Sequence, residues 1–211
     1  MSKYNKILTG NSRLVDPGFD QPPCNPMHLL QTWLLCAENL DVSEPRDLVL
    51  STINGKNYPS SRVVMLTDID DNGIVFGTTT TSNKGIDLAI NPVAAGTLWW
   101  RETMQQINFA GTVSKCTSEF SDKVFAERMR LARATTCIFD SGEILVDEDV
   151  LKRRVEQLMN SSDEITRPLK WSAYHINIET IEFWHGSADR LHKRLRYNLT
   201  KNIWEYSRLQ P

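Results

Sequence analysis

LVLSTINGKNYPSSRVVMLTDIDDNGIVFGTTT, residues 48–80, holds three short runs separated by turn residues: LVLSTI (48–53), SRVVML (61–66) and GIVFGTTT (73–80). Val, Ile and Thr suit a pleated strand, whereas clustered Asn, Gly, Pro and Asp break one. Asp71-Asn72-Gly73 is a tight-turn sequence, because Asn and Gly tolerate the positive φ of hairpin turns. The stretch predicts strands joined by short connections, which favours antiparallel pairing.

Working outward, Pro26 suits a first helical turn, with Leu30, Trp33, Leu34 and Ala37 following on one face. Residues 1–25 show no periodicity and contain Pro17, Pro22 and Pro23, which predicts an extended, poorly ordered arm before one domain over 26–211. Downstream, a short helix near 82–90 must end before Asn91-Pro92. A hairpin follows over 94–103 and 105–116. One helix then starts near Ser118 and carries Phe120, Val124, Met129 and Leu131; another starts at Asp147 with Leu151, Val155 and Leu158 on one face. After a linker at 161–168, strands return at 173–184, 194–199 and 203–209. Roughly eight or nine strands and four helices predict a mainly β protein, a barrel or sandwich with helical insertions.

Composition narrows the function. The 211 residues include 24 basic and 26 acidic side chains, a net charge of −2, so no global field draws nucleic acid or an anionic membrane. No apolar run approaches the roughly 18 residues that a membrane span needs. The first thirty residues hold no apolar block of a secretory leader, and a cytoplasmic chain is expected. Cys24, Cys36, Cys116 and Cys137 form no C-x-x-C pair, which argues for reduced thiols and against a zinc site; no other cluster suggests a metal. G-x-G-x-x-G and P-loop motifs are absent.

Three segments carry candidate chemistry. In TTTTSNKG, residues 78–85, five hydroxyl residues run into a helix start followed by Lys84. Free helical amides, hydroxyls and a cation suit a phosphate, and Arg62 on a neighbouring strand would add a bidentate fork. The same residues also fit a strand end capped by Thr81 or Ser82 with a solvated lysine. WHGSADRLHKRLR, residues 184–196, combines Trp184 with Arg190, His192, Arg194 and Arg196. If extended, it places Arg190, His192 and Arg194 on one side, suited to a planar anion or to a solvated basic edge. In WWRETMQQINFAG, residues 99–111, the glutamines fit either the polar edge of a heterocycle or a solvent-facing hairpin over core tryptophans.

In order along the chain, SSRVVML, the S-x-K of SNKG, INP, RETMQQINFAG, IEFWHG, RLHKR and the closing SRLQP resemble the pyridoxine 5′-phosphate oxidase-like flavoproteins. GTLWWRETMQQI and RLHKRLRY are most similar to the branch of phenazine-biosynthesis flavin oxidases. The resemblance implies an FMN-binding split β-barrel with flanking helices, and a homodimer with FMN at the subunit interface. It implies FMN-phosphate contacts from Arg62, Lys84 and Ser82, with Thr78, Gly77 and Asn83 beside them. The strand from Arg62 through Val63, Val64 and Met65 to Thr67 would run along the isoalloxazine ring. Gln106 would hydrogen-bond the flavin, while Trp184 and Arg194 would reach it from the second subunit. Arg128, Arg190 and His192 would face the substrate, Arg190 and His192 assisting proton removal. The family's Gln-Ser pair falls on Ser141-Gly142, its S-R-K arginine is Asn83, and a tyrosine near the flavin is Gly77.

Vitamin-B6 oxidases of the family carry a lysine, a tyrosine and a serine where this chain has Thr67, Val124 and Ala132. Losing three phosphate donors turns the reading towards a carboxylated substrate. The implied activity is oxidation of a reduced, carboxylated phenazine-type tricycle, with hydride passing to flavin N5 and O2 yielding H2O2. Pyridoxine/pyridoxamine 5′-phosphate oxidation is one alternative, and a non-catalytic ligand-binding split barrel is another.

Overall fold

The computed structural model describes residues 10–211. Eight strands form one antiparallel sheet: β1 (Asp47–Ile53), β2 (Pro59–Ile69), β3 (Gly73–Thr79), β4 (Val93–Trp100), β5 (Gln105–Lys115), β6 (Trp171–His185), β7 (Lys193–Thr200) and β8 (Ile203–Leu209). Their order is β3-β2-β1-β4-β5-β6-β7-β8, and an additional β3–β6 pairing closes the first six into a barrel. The fold is a split β-barrel, as the family resemblance implied, and of the barrel and sandwich that the strand pattern allowed it is the barrel.

The long strand β6 makes the closure possible. Along one edge its residues 174–185 pair with β5; along the other, 171–177 pair with β3 and 180–185 with β7. The partner changes at a bulge, where Ala110 opposes Thr180 but Gly111 opposes Ile178. The extra residue, Glu179, bends the strand. Gly111 permits the tight approach there, since a Cβ would lie 1.9 Å from the Asn177 carbonyl oxygen.

Leu48, Leu50, Leu66, Ile74, Phe76, Leu98, Ile107, Phe109 and Ile176 fill the barrel. Helix α1 (Pro26–Asn39) starts as expected, with Pro26 in its first turn and Asn25 Oδ1 accepting from the Met27 amide. It buries Leu30, Trp33, Leu34 and Ala37 against this core. Of the expected arm, residues 1–9 lie outside the described residues. Residues 10–25 contain no helix or strand, and they place Phe19 against Trp33 with ring centroids 5.8 Å apart. Trp33 Nε1 donates to the Pro17 carbonyl at 3.2 Å, and Tyr197 Oη to that of Pro23 at 2.9 Å.

Helix α2 (Asn83–Ile90) stops before Pro92, as the proline requires. The helix expected from Ser118 through Leu131 is instead two, α3 (Ser118–Ala126) and α4 (Arg130–Ile138). Met129, expected within that helix, has ψ 141° and is 80 % exposed. The break lets Arg128 turn inwards, its guanidinium 5.5 Å from the Phe125 ring and 5.3 Å from that of Trp171. With α5 (Glu148–Asn160), whose cap is the expected Asp147, these helices enclose a second core of Val75, Phe125, Ala134, Val155, Trp171 and Ala173. Strand β3 is thus covered on both faces: Ile74 and Phe76 point into the barrel, Val75 into the second core.

Candidate active site

At the junction of β2, β3 and α2 two cations stand together. Arg62 Nη1 donates to Thr52 Oγ1 at 2.7 Å, and its Nη2 donates to Ser60 Oγ at 2.8 Å. Thr52 in turn donates to the buried carboxylate of Asp87 at 2.7 Å, which lies 3.8 Å from Arg62. Lys84 Nζ donates to Thr78 Oγ1 at 3.3 Å, and that hydroxyl lies 3.2 Å from Ser82 Oγ. Ser82 caps α2 by accepting from the Gly85 amide, so the cap is Ser82 and not Thr81. Nor is the lysine solvated. Burial lowers its pKa and the nearby charge of Arg62 lowers it further; burial also lowers Arg62, with Asp87 opposing. Two half-buried cations with one carboxylate at hand, beside hydroxyls and a helix start, fit an anion of more than one charge.

A second group lies on the outer sheet face. Trp99 opposes Gln106, Gln106 opposes Trp184, and Trp184 opposes Arg194, so one row of side chains crosses four strands. The rings of Trp99 and Trp184 are 6.0 Å apart, and His192 lies 4.7 Å beyond Trp184. Glu182 holds the row's cationic end: its Oε1 accepts from Arg194 Nε and its Oε2 from Arg196 Nη2, both at 2.7 Å. Burial pushes the Glu182 carboxyl up, but the two arginines outweigh it and hold it below its ordinary range. The neighbouring row runs Val63–Val49–Thr97–Asn108–Glu182–Arg196. Val63 and Met65 project from this same sheet, both more than half exposed, while Val64 faces the core.

A third group is a cleft of about 320 Å³ lined by Arg46, Met65, Thr67, Val124, Glu127 and Arg128. Thr67 is the extra residue of a β2–β3 bulge, and its hydroxyl donates to the Val75 carbonyl at 3.1 Å. Arg128 Nη1 donates to Thr136 Oγ1 at 2.8 Å, and burial lowers its pKa. Arg46 is paired with Glu38 at 2.7 Å.

Residues 186–192 are a loop and not the extended run the sequence suggested, because β7 begins only at Lys193 and Arg190 has φ +67°. Arg190 and His192 therefore do not alternate with Arg194 as a strand would place them. Ser141 lies in the exposed 139–147 loop, whose Gly142 reaches Asn83: a Cβ there would be 3.5 Å from Asn83 Oδ1. Lys170 ties the loop's start to β3, donating to the Phe139 carbonyl while its own carbonyl accepts from the Thr80 amide.

The fold thus gathers Arg62, Thr78, Ser82 and Lys84 into one cluster and Gln106, Trp184, His192 and Arg194 into another. Thr67 and Arg128 share the cleft, with Met65 at its edge. Sequence reasoning passed over Thr52, Asp87 and Glu182, whose roles rest on partners in other elements. It noted Trp99 without assigning it; the alternation along β4, which puts Trp100 in the core and Trp99 outside, separates the two.

Residues 39–161 match the family model for Pyridoxamine 5'-phosphate oxidase, and residues 171–211 match that for the Pyridoxine 5'-phosphate oxidase C-terminal dimerisation region, which supports a homodimer. The chain is 36% identical over 204 residues to a protein of Burkholderia lata named dihydrophenazinedicarboxylate synthase, covering 97% of this chain and 96% of that one. It is 34% identical over 207 residues to a protein of that name from Pseudomonas chlororaphis, covering 98% and 93%. A crystal structure of PhzG from Burkholderia lata, in complex with tetrahydrophenazine-1-carboxylic acid, superposes with a TM-score of 0.92 at 36% identity, over 96% of this chain and 100% of that one. Among the described residues no helix is long and apolar enough to cross a membrane. The chain belongs to the pyridoxamine 5'-phosphate oxidase family and is an oxidoreductase with a split β-barrel.

Proposed function

We propose that this protein is an FMN-dependent oxidase of phenazine-type biosynthesis, acting on a reduced, carboxylated tricycle in a cytoplasmic pathway. The observation that carries the reading is the anion seat at Arg62 and Lys84, in a chain that also presents an aromatic and amide row at Trp99, Gln106 and Trp184 on its outer sheet face. A flavin mononucleotide needs both chemistries, and whole-chain likeness to two dihydrophenazinedicarboxylate synthases supports the substrate class.

In this reading Arg62, Lys84, Ser82 and the Thr78 hydroxyl hold the phosphate, with Asn83 and Gly77 beside it. Val63, Val64, Met65 and Thr67 flank the ring, and Gln106 meets its polar edge. Trp184 and Arg194 come from the second subunit, where Glu182 orients the arginine, and Ser141 approaches from its loop. Bound FMN would accept a hydride at N5 and be reoxidised by O2 with release of H2O2. The chain's residues place the substrate: Arg128, Arg190 and His192 supply charge and donors for carboxylates, and the aromatic row supplies a flat wall.

The cleft speaks against a pyridoxine 5'-phosphate oxidase. Thr67 already spends its hydroxyl on Val75, Val124 is apolar and buried, and Arg46 is paired with Glu38. A phosphate dianion there would meet chiefly Arg128, and an incompletely paired buried charge is costly. The test is oxidation by the purified, FMN-loaded protein of a chemically reduced phenazine carboxylate and, in parallel, of pyridoxine 5'-phosphate. Peroxide release with the first and little with the second supports the reading. The reverse selectivity overturns it, and ligand binding without turnover of either points to a binding protein.

A further inference from the structure

The loop between β6 and β7 is organised around an exposed carboxylate that no part of the proposed function uses. Asp189 Oδ1 accepts from Ser187 Oγ at 2.5 Å and from the Leu191 amide at 2.9 Å. The Arg190 amide donates to the Ser187 carbonyl at 3.1 Å, closing a turn whose last residue, Arg190, has φ +67°. An arginine adopts that left-handed geometry uncommonly, and Asp189 bridges the turn on both sides of Arg190.

The turn also fixes His192. The Ser187 amide donates to His192 Nδ1 at 3.1 Å, and the imidazole lies 4.7 Å from the Trp184 ring. With Nδ1 accepting from an amide, the neutral ring carries its hydrogen on Nε2. Nε2 has no partner among the described residues, and the ring is half-buried beside the aromatic row. A ring so held offers a directed N–H donor at Nε2, while its Nδ1 lone pair is engaged by the Ser187 amide.

We propose that Asp189 is a positioning residue: by bridging Ser187 and Leu191 it sets Arg190 and His192 as a paired cation and N–H donor for an acceptor group on the substrate, such as a carboxylate oxygen. His192 then binds substrate and is not a general base, in contrast to the proton-removing role implied by the family resemblance. The inference rests on the reading that Arg190 and His192 face the substrate.

The test is steady-state kinetics of FMN-loaded variants with a reduced phenazine carboxylate, each variant first shown to bind FMN as the parent does. His192→Gln keeps an outward amide donor, and should hold kcat within about threefold of the parent. His192→Ala should raise KM about tenfold with kcat little changed, the pattern of a lost binding contact. Asp189→Ala should raise KM about fivefold, Asp189→Asn should restore it, and Asp189→Ala should add less than about twofold in a background carrying both Arg190→Ala and His192→Ala. A hundredfold loss of kcat in His192→Gln would establish a base and overturn the proposal. Full additivity of Asp189→Ala with the combined Arg190→Ala and His192→Ala changes would also overturn it, leaving Asp189 a merely structural residue. If Arg190→Ala and His192→Ala change neither KM nor kcat, the placement of the substrate fails instead.

Discussion

The indole of Trp171 occupies the space that a side chain at residue 77 would need: a Cβ built on Gly77 would lie 2.2 Å from Trp171 Cζ2. The tyrosine that related flavoproteins carry here is therefore excluded by packing. Trp171 is fully engaged, with the Phe125 ring 5.2 Å away and Arg128 over its face. Gly77→Ala should lower stability by about 1–3 kcal/mol, the ordinary cost of overfilling a packed core. Thermal unfolding followed by tryptophan emission measures it, and an unchanged midpoint would show that Trp171 can move aside.

The two cations of the anion seat should separate in their effects. Lys84→Met removes a charge that, among the described residues, hydrogen-bonds only a hydroxyl, so FMN should bind about 30-fold more weakly, or about 2 kcal/mol, with little change in melting temperature. Arg62→Met should weaken FMN similarly and also destabilise the protein, because Asp87 and Thr52 lose their buried partner. Flavin-fluorescence titration and melting curves of both variants check this pair.

Acid should act through two carboxylates. Glu182 is raised by burial but lowered more by Arg194 and Arg196; Asp70 is raised by burial but lowered more by the Asn72 amide and His175. Both sit below their unfolded values, about 4.3 for Glu and 3.9 for Asp. Their contributions are therefore fully present above those values and are lost as pH falls through the lower folded ones. Glu182→Gln should be less stable at neutral pH by about 2 kcal/mol and show a shallower acid loss, read from urea unfolding between pH 3 and 7.

Trp99 should matter for the substrate more than for the fold, since it stands outside the barrel while Trp100 fills it. Trp99→Ala should raise KM for the reduced tricycle about tenfold, equivalent to about 1.4 kcal/mol of lost ring contact, and leave the melting temperature within a few degrees. Trp100→Ala should do the opposite, costing about 3–5 kcal/mol of stability.

The strands and most helices were legible because their signals are local: branched residues between turns, Asp147 and the Thr81-Ser82 pair as caps, and Pro92 as a stop. The break at Met129 was not, because it serves contacts between Arg128 and Trp171 that lie far apart in sequence. Nor was the double use of β6, since both halves read equally as strand and only the bulge at Glu179 tells them apart. In the site, Lys84 stood out through its cap and Trp184 through its basic neighbours. Asp87, Thr52 and Glu182 carried no pattern of their own; their meaning arises from the arginines that the fold brings to them. The stretch 190–192 misled as a strand because the hydrogen bonds of Asp189 hold it in a loop before β7 begins at Lys193.

Flavin binding is tested by the absorbance spectrum of the purified protein, followed by FMN titration with quenching of flavin fluorescence. A yellow protein is expected, or saturable binding of about one FMN per chain that Lys84→Met weakens. A colourless protein that leaves the fluorescence of added FMN unchanged would contradict it, and the split barrel would then be serving a different ligand.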